Sequence, residues 1–357
     1  MNKKENICFV AGKSGGHLIP ALTIAQKIIQ KSLQEKKELK ALFFTTNNLL
    51  DKKIIKEATI YITQVQLPLG KIRYSTIIKH PMLAFNLIHS FAKSFFYLVK
   101  YRPKKIISMG GLVSLPVCMA GFILRIPIEL FELNTTPGKA VTFLAPLAKK
   151  IHICFSKAMN YLPKKKCTFS QYPVRFAARF PVNTQKHNLE AFGFSKSKFT
   201  LLILGGSQGS LAINNLIKEM VNKTPDIHEH MQIIHQTGRQ DTTNWQEFYK
   251  KRNIAAIAFD FKKDIHQHYH IADIVVCRSG AGTLFETMFF KKKCITIPLE
   301  AKTSDHQVDN AKEIEKMHPK LVTLIKQDKN CSHLFIKEIG KQIQRKLRIK
   351  QKNNPSI

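Results

Sequence analysis

Residues 7–17 read Ile7-Cys8-Phe9-Val10-Ala11-Gly12-Lys13-Ser14-Gly15-Gly16-His17, and apolar side chains recur at helical spacing over 19–29. An apolar run, a glycine turn and an amphipathic helix, in that order, predict a strand, a loop and a helix. Similar units follow. Residues 41–45 and 60–65 read as strands, 82–99 as a helix, and 105–108 as a strand that ends in Gly110-Gly111. Residues 126–132 and 151–155 read as two further strands. Strands alternating with helices predict a parallel sheet covered on both faces.

The pattern restarts after Pro173. Residues 199–204 form an apolar run into Gly205-Gly206-Ser207-Gln208-Gly209, followed by a helical pattern over 211–221. Residues 232–236, 255–259, 274–277 and 294–298 read as strands, and 283–290 as a helix. The expected class is α/β, with two Rossmann-like parallel-sheet domains facing a central cleft. Their limits are 1–174 and 178–332, with a linker near 171–178. A lysine-rich helical tail, about 333–357, can pack back on the first domain. Ligands in such sheets bind outside the carboxyl ends of the strands.

Charge narrows the partners. The 357 residues carry 57 Lys and Arg against 24 Asp and Glu, a formal +33. Between Glu57 and Glu190 the only carboxylates are Glu129 and Glu132, against 19 Lys and Arg. Such a stretch attracts anionic lipid, diphosphates or nucleic acid, or is simply a solvated basic surface. Nucleic acid is disfavoured: there is no RNP-like aromatic motif, no Cys/His finger and no helix-turn-helix pattern. The seven cysteines include no CxxC pair, which argues against a disulfide framework and fits a reducing compartment. The N-terminus runs straight into the first strand and is not a signal peptide. The longest uncharged stretch, 106–124, is broken by Gly110-Gly111 and Pro116 and reads poorly as a bilayer span. A soluble or peripheral protein is expected.

Each glycine loop lies between a strand and a helix, where free N–H groups and the helix dipole favour a diphosphate, although either loop alone is equally a tight turn. Neither has the GxxxxGK[ST] or GxGxxG spacing, which disfavours nucleotide hydrolysis and NAD chemistry. The segment Cys277-Arg278-Ser279-Gly280-Ala281-Gly282-Thr283-Leu284-Phe285-Glu286 leaves a strand and enters a helix. Its small residues allow close approach of a ligand, and Glu286 can accept two ribose hydroxyls or merely serve the helix dipole. No Asp-x-Asp motif is present, so neither metal nor cofactor is expected.

Taken in order, Ser14-Gly15-Gly16-His17 with Pro20-Ala21, Met109-Gly110-Gly111, Glu132 with Asn134 and Pro173-Val174-Arg175 resemble the motifs of the MurG family. Gly205-Gly206-Ser207-Gln208-Gly209, His235-Gln236-Thr237-Gly238 and Cys277-Arg278-Ser279-Gly280-Ala281 continue the series, which runs from residue 7 to about 311. The resemblance implies a GT-B fold. It implies inverting, metal-independent transfer of N-acetylglucosamine (GlcNAc) from UDP-GlcNAc to the C4 hydroxyl of N-acetylmuramic acid in lipid I, forming lipid II for peptidoglycan. It implies that Ser14, Gly15, Gly16, Asn134 and Arg175 contact the donor and that Ser207 binds its diphosphate. The backbone at Lys262 would read the uracil, Ala281, Gly282, Thr283, Leu284, Phe285 and Glu286 would hold the nucleotide, and Gln307 the sugar hydroxyls. His306 stands where a glutamine is usual.

Five departures cluster on the acceptor side. The family's GGTGGH has Lys13 in place of a glycine and Ser14 in place of a threonine; its HEQN reads Phe131-Glu132-Leu133-Asn134; and Leu112 replaces a tyrosine. Lys13 can pair with a phosphate or crowd the acceptor. Inversion needs a base, and His17, with an ordinary value near pH 6.5, is the candidate. Glu132 is the competing base or the group that orients His17. Arg278 and the loop of Ser207 would stabilise the departing diphosphate.

Lipid I stays in the bilayer, so the first domain is expected to dock on the cytoplasmic side of the cell (inner) membrane, on an anionic surface. In the helix over 82–99, Met82, Phe85, Ala92, Phe95 and Val99 form one stripe, and Leu83, Leu87, Phe91 and Leu98 a second. One stripe is expected in the core. The other, flanked by Lys71, Arg73, Lys79 and Lys93, would enter the interface, unless both are core. The competing enzyme reading is a GT-B UDP-sugar transferase with another lipid acceptor, such as diacylglycerol; the competing non-enzyme reading is a relative that only binds precursor.

Overall fold

The computed structural model describes residues 5–69, 81–178, 189–206, 209–262, 264–300 and 305–353. Contacts divide the chain into two units, Met1–Arg179 and Phe180–Ile357.

The first unit runs β1 (Glu5–Val10), α1 (Gly15–Gln34), β2 (Leu39–Thr46), α2 (Leu49–Lys56), β3 (Ile62–Leu67) and α3 (Pro81–Tyr101). It continues with β4 (Ile106–Ser108), α4 (Ser114–Ile123), β5 (Ile128–Glu132), α5 (Lys139–Leu144), β6 (Lys150–Ile153) and β7 (Cys167–Phe169). The strands form one sheet in the order β3-β2-β1-β4-β5-β6-β7, and every pairing is parallel. Cys8, Phe9 and Val10 are wholly buried in succession, because helices cover both faces of the sheet. A period-two pattern is therefore absent there.

The second unit runs β8 (Phe199–Leu204), α6 (Leu211–Lys223), β9 (Met231–Gln236), α7 (Trp245–Lys250), β10 (Ala255–Phe259) and α8 (His266–Ile271). Then come β11 (Ile274–Cys277), α9 (Ala281–Phe289), β12 (Lys293–Thr296), α10 (Asp305–Met317), β13 (Val322–Leu324) and α11 (Cys331–Asn353). Its sheet, β10-β9-β8-β11-β12-β13, is also parallel throughout. In each sheet the chain reverses direction after its third strand. The glycine loops following β1 and β8 thus stand where the strand order switches, the usual ligand end of such sheets.

Several boundaries move. The first helix begins at Gly15, so Gly15, Gly16 and His17 form its first turn rather than the loop before it. The strand expected over 60–65 lies at Ile62–Leu67, and that over 151–155 at Lys150–Ile153. The lysine-rich tail is helical, and its apolar stripe packs in the second unit. Phe335, Ile339 and Ile343 are buried in the second unit's core with Ile213 and Ile217 of α6. Lys346 clamps the end of that stripe, donating to Asp273 Oδ2 at 2.7 Å and to the carbonyl of Lys198 at 2.8 Å. The one tryptophan, Trp245, is buried in the same core.

The two stripes of α3 separate cleanly. Leu83 and Leu98 are buried, with Leu87 and Phe91 packed against the same core. Met82, Phe85, Phe95 and Val99 are exposed, as are Ile88 and Phe96. The neighbouring α4, which the sequence reading missed, adds exposed Met119, Phe122 and Ile123. Residues Met82–Tyr101 are long and apolar enough to cross a membrane by length and composition. Yet one side of that helix is core, and its other side is a surface. Lys71, Arg73 and Lys79 lie outside the described residues, whereas Lys93 reaches back to donate to the carbonyl of Gln66 at 3.0 Å. The Lys93 ammonium thus ties α3 to β3.

Candidate active site

The first unit builds its site on the loops after β1, β4 and β5, three neighbouring strands. After β1 the backbone turns tightly. Lys13 has a φ of 72°, and Gly12 is packed so closely that a Cβ there would lie 2.7 Å from Asp51 Oδ2 and 2.8 Å from the Thr46 nitrogen. Ser14 stands at the N-cap of α1 in an extended conformation and makes no side-chain cap. The first turn holds no acidic residue. Gly15, which is buried, and Gly16, which is exposed, thus stand at the positive end of a 20-residue helix, an arrangement suited to an anion.

His17 projects from that first turn over the loop after β4. Gly110 and Gly111 both have left-handed backbone, φ 78° and 79°, and a Cβ on Gly111 would sit 3.5 Å from His17 Nδ1. The paired glycines make the flat seat on which the imidazole lies. A Cβ on Gly110 would strike Val141 of α5 at 2.7 Å, so that residue is equally constrained.

Glu132 ends β5, next to β4, and is 3% exposed. Its Oε1 accepts from the Asn134 backbone at 2.9 Å and from Asn134 Nδ2 at 3.3 Å; its Oε2 accepts from the Gly138 amide at 3.0 Å. Burial nevertheless pushes its carboxyl up to about 7, against the lowering effect of those hydrogen bonds. A group poised there changes protonation near neutrality. Asn134, expected at the donor, is thus engaged in holding Glu132. Arg175 lies in a short helical turn, Arg175–Ala178, packed against α1, with its guanidinium 4.6 Å from the Phe176 ring.

In the second unit the loop after β8 is pressed against the loop after β9. A Cβ on Gly209 would lie 2.5 Å from both Gly238 Cα and the Thr237 carbonyl, and one on Gly205 would lie 2.6 Å from the Ser210 nitrogen. Ser210 caps α6, accepting from Ile213 at 3.4 Å. Ser207 lies outside the described residues. Beneath the loop, Asn214 donates to the Thr237 carbonyl at 3.0 Å and to Asp241 at 2.7 Å, and meets His235 at 3.1 Å. His235 is fully buried and also meets the Tyr249 hydroxyl; burial lowers its value to about 3, so it is a neutral strut. Its motif position serves the fold of the loop.

Arg278 links four loops. Its Nε donates to Ser210 Oγ at 3.0 Å, and its Nη1 to the carbonyls of Ile297 and Pro298, both at 3.1 Å, and to Gln327 at 2.7 Å. Burial lowers its value from the ordinary one. It keeps its charge beside the cap of α6, but four acceptors already hold the Nε and Nη1 side. Ala281, Gly282, Thr283, Leu284, Phe285 and Glu286 form the first six residues of α9, whose N-cap Gly280 has no side-chain cap. Glu286 is 9% exposed and accepts from the Tyr269 hydroxyl at 3.3 Å. Asn310 of α10 donates to the Ser279 carbonyl at 3.2 Å and so braces the loop before α9. Gln307 accepts from the Leu299 amide at 3.1 Å, holding the loop after β12. Lys262 is exposed after β10, its Nζ 5.5 Å from the Phe259 ring. Among the described residues no cluster of three or more His, Cys, Asp or Glu has metal-binding geometry.

Known proteins share the fold of both units. The glycosyltransferase family 28 N-terminal domain matches residues 7–153, and the family 28 C-terminal domain matches 200–356. A UDP-N-acetylglucosamine--N-acetylmuramyl-(pentapeptide) pyrophosphoryl-undecaprenol N-acetylglucosamine transferase from Protochlamydia amoebophila is 33% identical over 311 residues, 86% of this chain and 79% of the relative. The chain belongs to the MurG family. A second member of the same name, from Hydrogenovibrio crunogenus, is 30% identical over 310 residues, 87% of this chain and 82% of its own length. The crystal structure of MurG from Acinetobacter baumannii shares the fold, with a TM-score of 0.70 at 21% identity over 96% of this chain and 92% of that one.

Three of the departures from the MurG pattern turn inward. Leu112 and Leu133 are buried. Phe131 alternates with Glu132 along β5, so it lies on the other face of the sheet, stacked on His152 with ring centroids 4.1 Å apart. Lys13 and Ser14 are exposed. Asp51, Tyr269, Asn214 and Asn310 escaped the sequence reading, since each acts on a loop far away in the chain. The only local signal was Asn48, three residues before Asp51, which caps α2 by accepting the Asp51 amide at 2.7 Å.

Proposed function

We propose that this chain transfers N-acetylglucosamine from UDP-GlcNAc to the C4 hydroxyl of N-acetylmuramic acid in lipid I, with inversion, forming lipid II. The observation that carries the reading is the trio of adjacent loops in the first unit. A helix N-terminus free of acidic residues, an imidazole on a diglycine seat and a buried carboxyl near 7 lie at the ends of neighbouring strands β1, β4 and β5. The names of the relatives supply the donor and the acceptor.

His17 is the proton acceptor. It is only half-buried, whereas both oxygens of Glu132 already accept hydrogen bonds beneath the surface. Glu132 shapes the loop 133–138. As His17 takes the proton, the C4 oxygen bonds to the anomeric carbon of the donor, and the bond from that carbon to the β-phosphate oxygen breaks. The leaving UDP gains charge, which the open amides at α9, the loop 205–210 and Arg278 stabilise. Ser14, Gly15, Gly16, Asn134 and Arg175 line the sugar and diphosphate in this scheme. Ser207 meets the diphosphate, Lys262 the uracil, 281–286 the nucleoside, and Gln307 the sugar hydroxyls.

The exposed apolar face of α3 and α4 docks on an anionic bilayer, which places the enzyme peripherally on the cytoplasmic side of the cell (inner) membrane. Burying a single phenylalanine contributes about 1.5–3 kcal/mol, so several suffice for reversible attachment.

The test is transfer of radiolabelled GlcNAc by the full chain to purified lipid I, run beside diacylglycerol as acceptor and UDP-glucose as donor. Label in lipid II alone supports the reading. Label on diacylglycerol, or equal use of UDP-glucose, replaces it with another UDP-sugar transferase.

A further inference from the structure

Lysines gather at the amino ends of β4, β5, β6 and β7, which are neighbours in the first sheet. The candidate site lies at the opposite, carboxyl ends. Lys104 and Lys105 lead into β4, and Pro127 into β5. Lys149 leads into β6, which Lys150 begins, and Lys165 and Lys166 lead into β7. Parallel strands all start on one side, so cations from separate segments of the chain meet there. They surround a hollow of about 400 Å³. Its walls carry those six lysines with Glu129, Pro127 and Thr168, and no aromatic side chain.

The carboxylates beside these lysines are already taken. Glu5 pairs with Lys104. Glu129 accepts from Lys105 at 3.0 and 3.1 Å, and His152 Nε2 stands 3.4 Å from its Oε2. Lys166 donates to the Pro146 carbonyl at 2.5 Å, so it serves the end of a helical turn. Lys149, Lys150 and Lys165 have no such anchor. Among the described residues, none of their ammoniums has an ion pair or a hydrogen bond. Lys150 is half-buried, and Lys149 and Lys165 are exposed. Like charges around one concavity repel each other, and its walls focus their field on whatever enters.

The lining selects the ligand. Pockets of this volume that take organic molecules are walled mainly by apolar groups, whereas ammoniums wall this one. A nucleotide or a single-stranded nucleic acid would need a ring on which to stack a base, and none is present. A bilayer presents its phosphates in a plane, whereas cations converging on a hollow suit a discrete molecule with several charges in a small volume. We propose that this hollow is a binding site for a soluble multivalent phosphate anion, held by Lys149, Lys150 and Lys165. The site does not depend on the lipid I reading.

The experiment titrates inorganic tripolyphosphate into the full chain by calorimetry, with saturating UDP present to occupy the diphosphate loops. Wild type should bind saturably, and more weakly as salt rises. Lys149→Gln with Lys165→Gln should weaken binding about tenfold, the scale of two exposed ion pairs, and Lys149→Arg with Lys165→Arg should retain it. The control, Lys312→Gln with Lys316→Gln, removes two exposed charges from α10 and should leave binding within about twofold. Should the first double variant melt below wild type, Lys165→Gln alone decides, with an expected loss of about threefold. A wild type that binds no tripolyphosphate overturns the proposal. So does an equal loss in the control, which would reduce the effect to the overall charge of the chain. Anionic vesicles test the other source of phosphate: if sedimentation needs Lys149 and Lys165 while tripolyphosphate binding does not, the hollow is a lipid contact and the proposal fails. Transfer of GlcNAc without added anion should be unaltered in Lys149→Gln with Lys165→Gln. A fall would place these lysines in the reaction and remove the separate site.

Discussion

Raising the pH from 4.5 to about 8 should weaken the first unit by about 3 kcal/mol through Glu132. Its carboxyl titrates near 4.5 in an unfolded chain and at about 7 in the fold, because burial outweighs three hydrogen bonds. Between those values the folded protein holds a proton that the unfolded chain has released, so stability falls as pH rises. The contribution is complete below 4.5 and gone above 7. Two and a half pH units at about 1.4 kcal/mol each give the figure. Glu129 does not interfere: His152 and Lys105 hold it down at about 2, so its contribution is lost only on acidification below 4.5. Cys154 stays a thiol throughout, pushed up to about 12 by burial and by Glu132. The assay is a urea series with pulsed hydrogen exchange, following peptides of β5 and the loop 133–138. Glu132→Gln should abolish the slope between pH 4.5 and 8. It should also cost about 1–3 kcal/mol at every pH, because its amide now faces the amide donors of Asn134 or Gly138. Parallel pH dependences in wild type and variant would refute the reasoning.

Two further outcomes test the reaction and the docking. His17→Ala should lower turnover about 10²–10⁴-fold while UDP-GlcNAc still binds, and near-normal turnover would remove the imidazole from the chemistry. Phe85→Asp and Phe122→Asp, on side chains 68% and 53% exposed, should each weaken sedimentation with anionic vesicles about tenfold or more and leave the circular dichroism unchanged. Binding that ignores both substitutions, the salt and the anionic lipid content would detach this face from the membrane.

The long apolar strands and the glycine turns were legible because a doubly covered parallel strand writes itself as an unbroken hydrophobic run. Both sheets, both switch-point loops and the split of α3 into a core stripe and an outer stripe follow from that. Helices of six to eight residues, α2, α5, α7 and α8, are too short to show a 3.6-residue period. The ten-residue α4 is apolar nearly all round, so no stripe marks its outer residues. The site was harder. His17 and Glu132 announced themselves by position, but what controls them did not. Asp51 acts 38 residues from Lys13, across β2, and Tyr269 acts 17 residues from Glu286. Such pairs arise only when a parallel crossover returns the chain to the same edge. His235 shows the converse. It stands in a family motif, yet it is sealed beneath the loop and titrates at about 3, so its role is architectural. Asn134, Gln307 and Arg278 have visible partners in their own units, which motif matching alone does not reveal.

The lone tryptophan has a practical consequence. Trp245 is buried in the second unit, 4.5 Å from the His235 ring that meets Asn214 below the turn at Thr237. Its emission therefore reports on the second unit and on the turn at Thr237 above it. The first unit contains only tyrosines and phenylalanines as aromatic chromophores, and is silent when tryptophan is excited selectively. A melting curve recorded by that fluorescence would look intact for a protein whose first unit had already come apart.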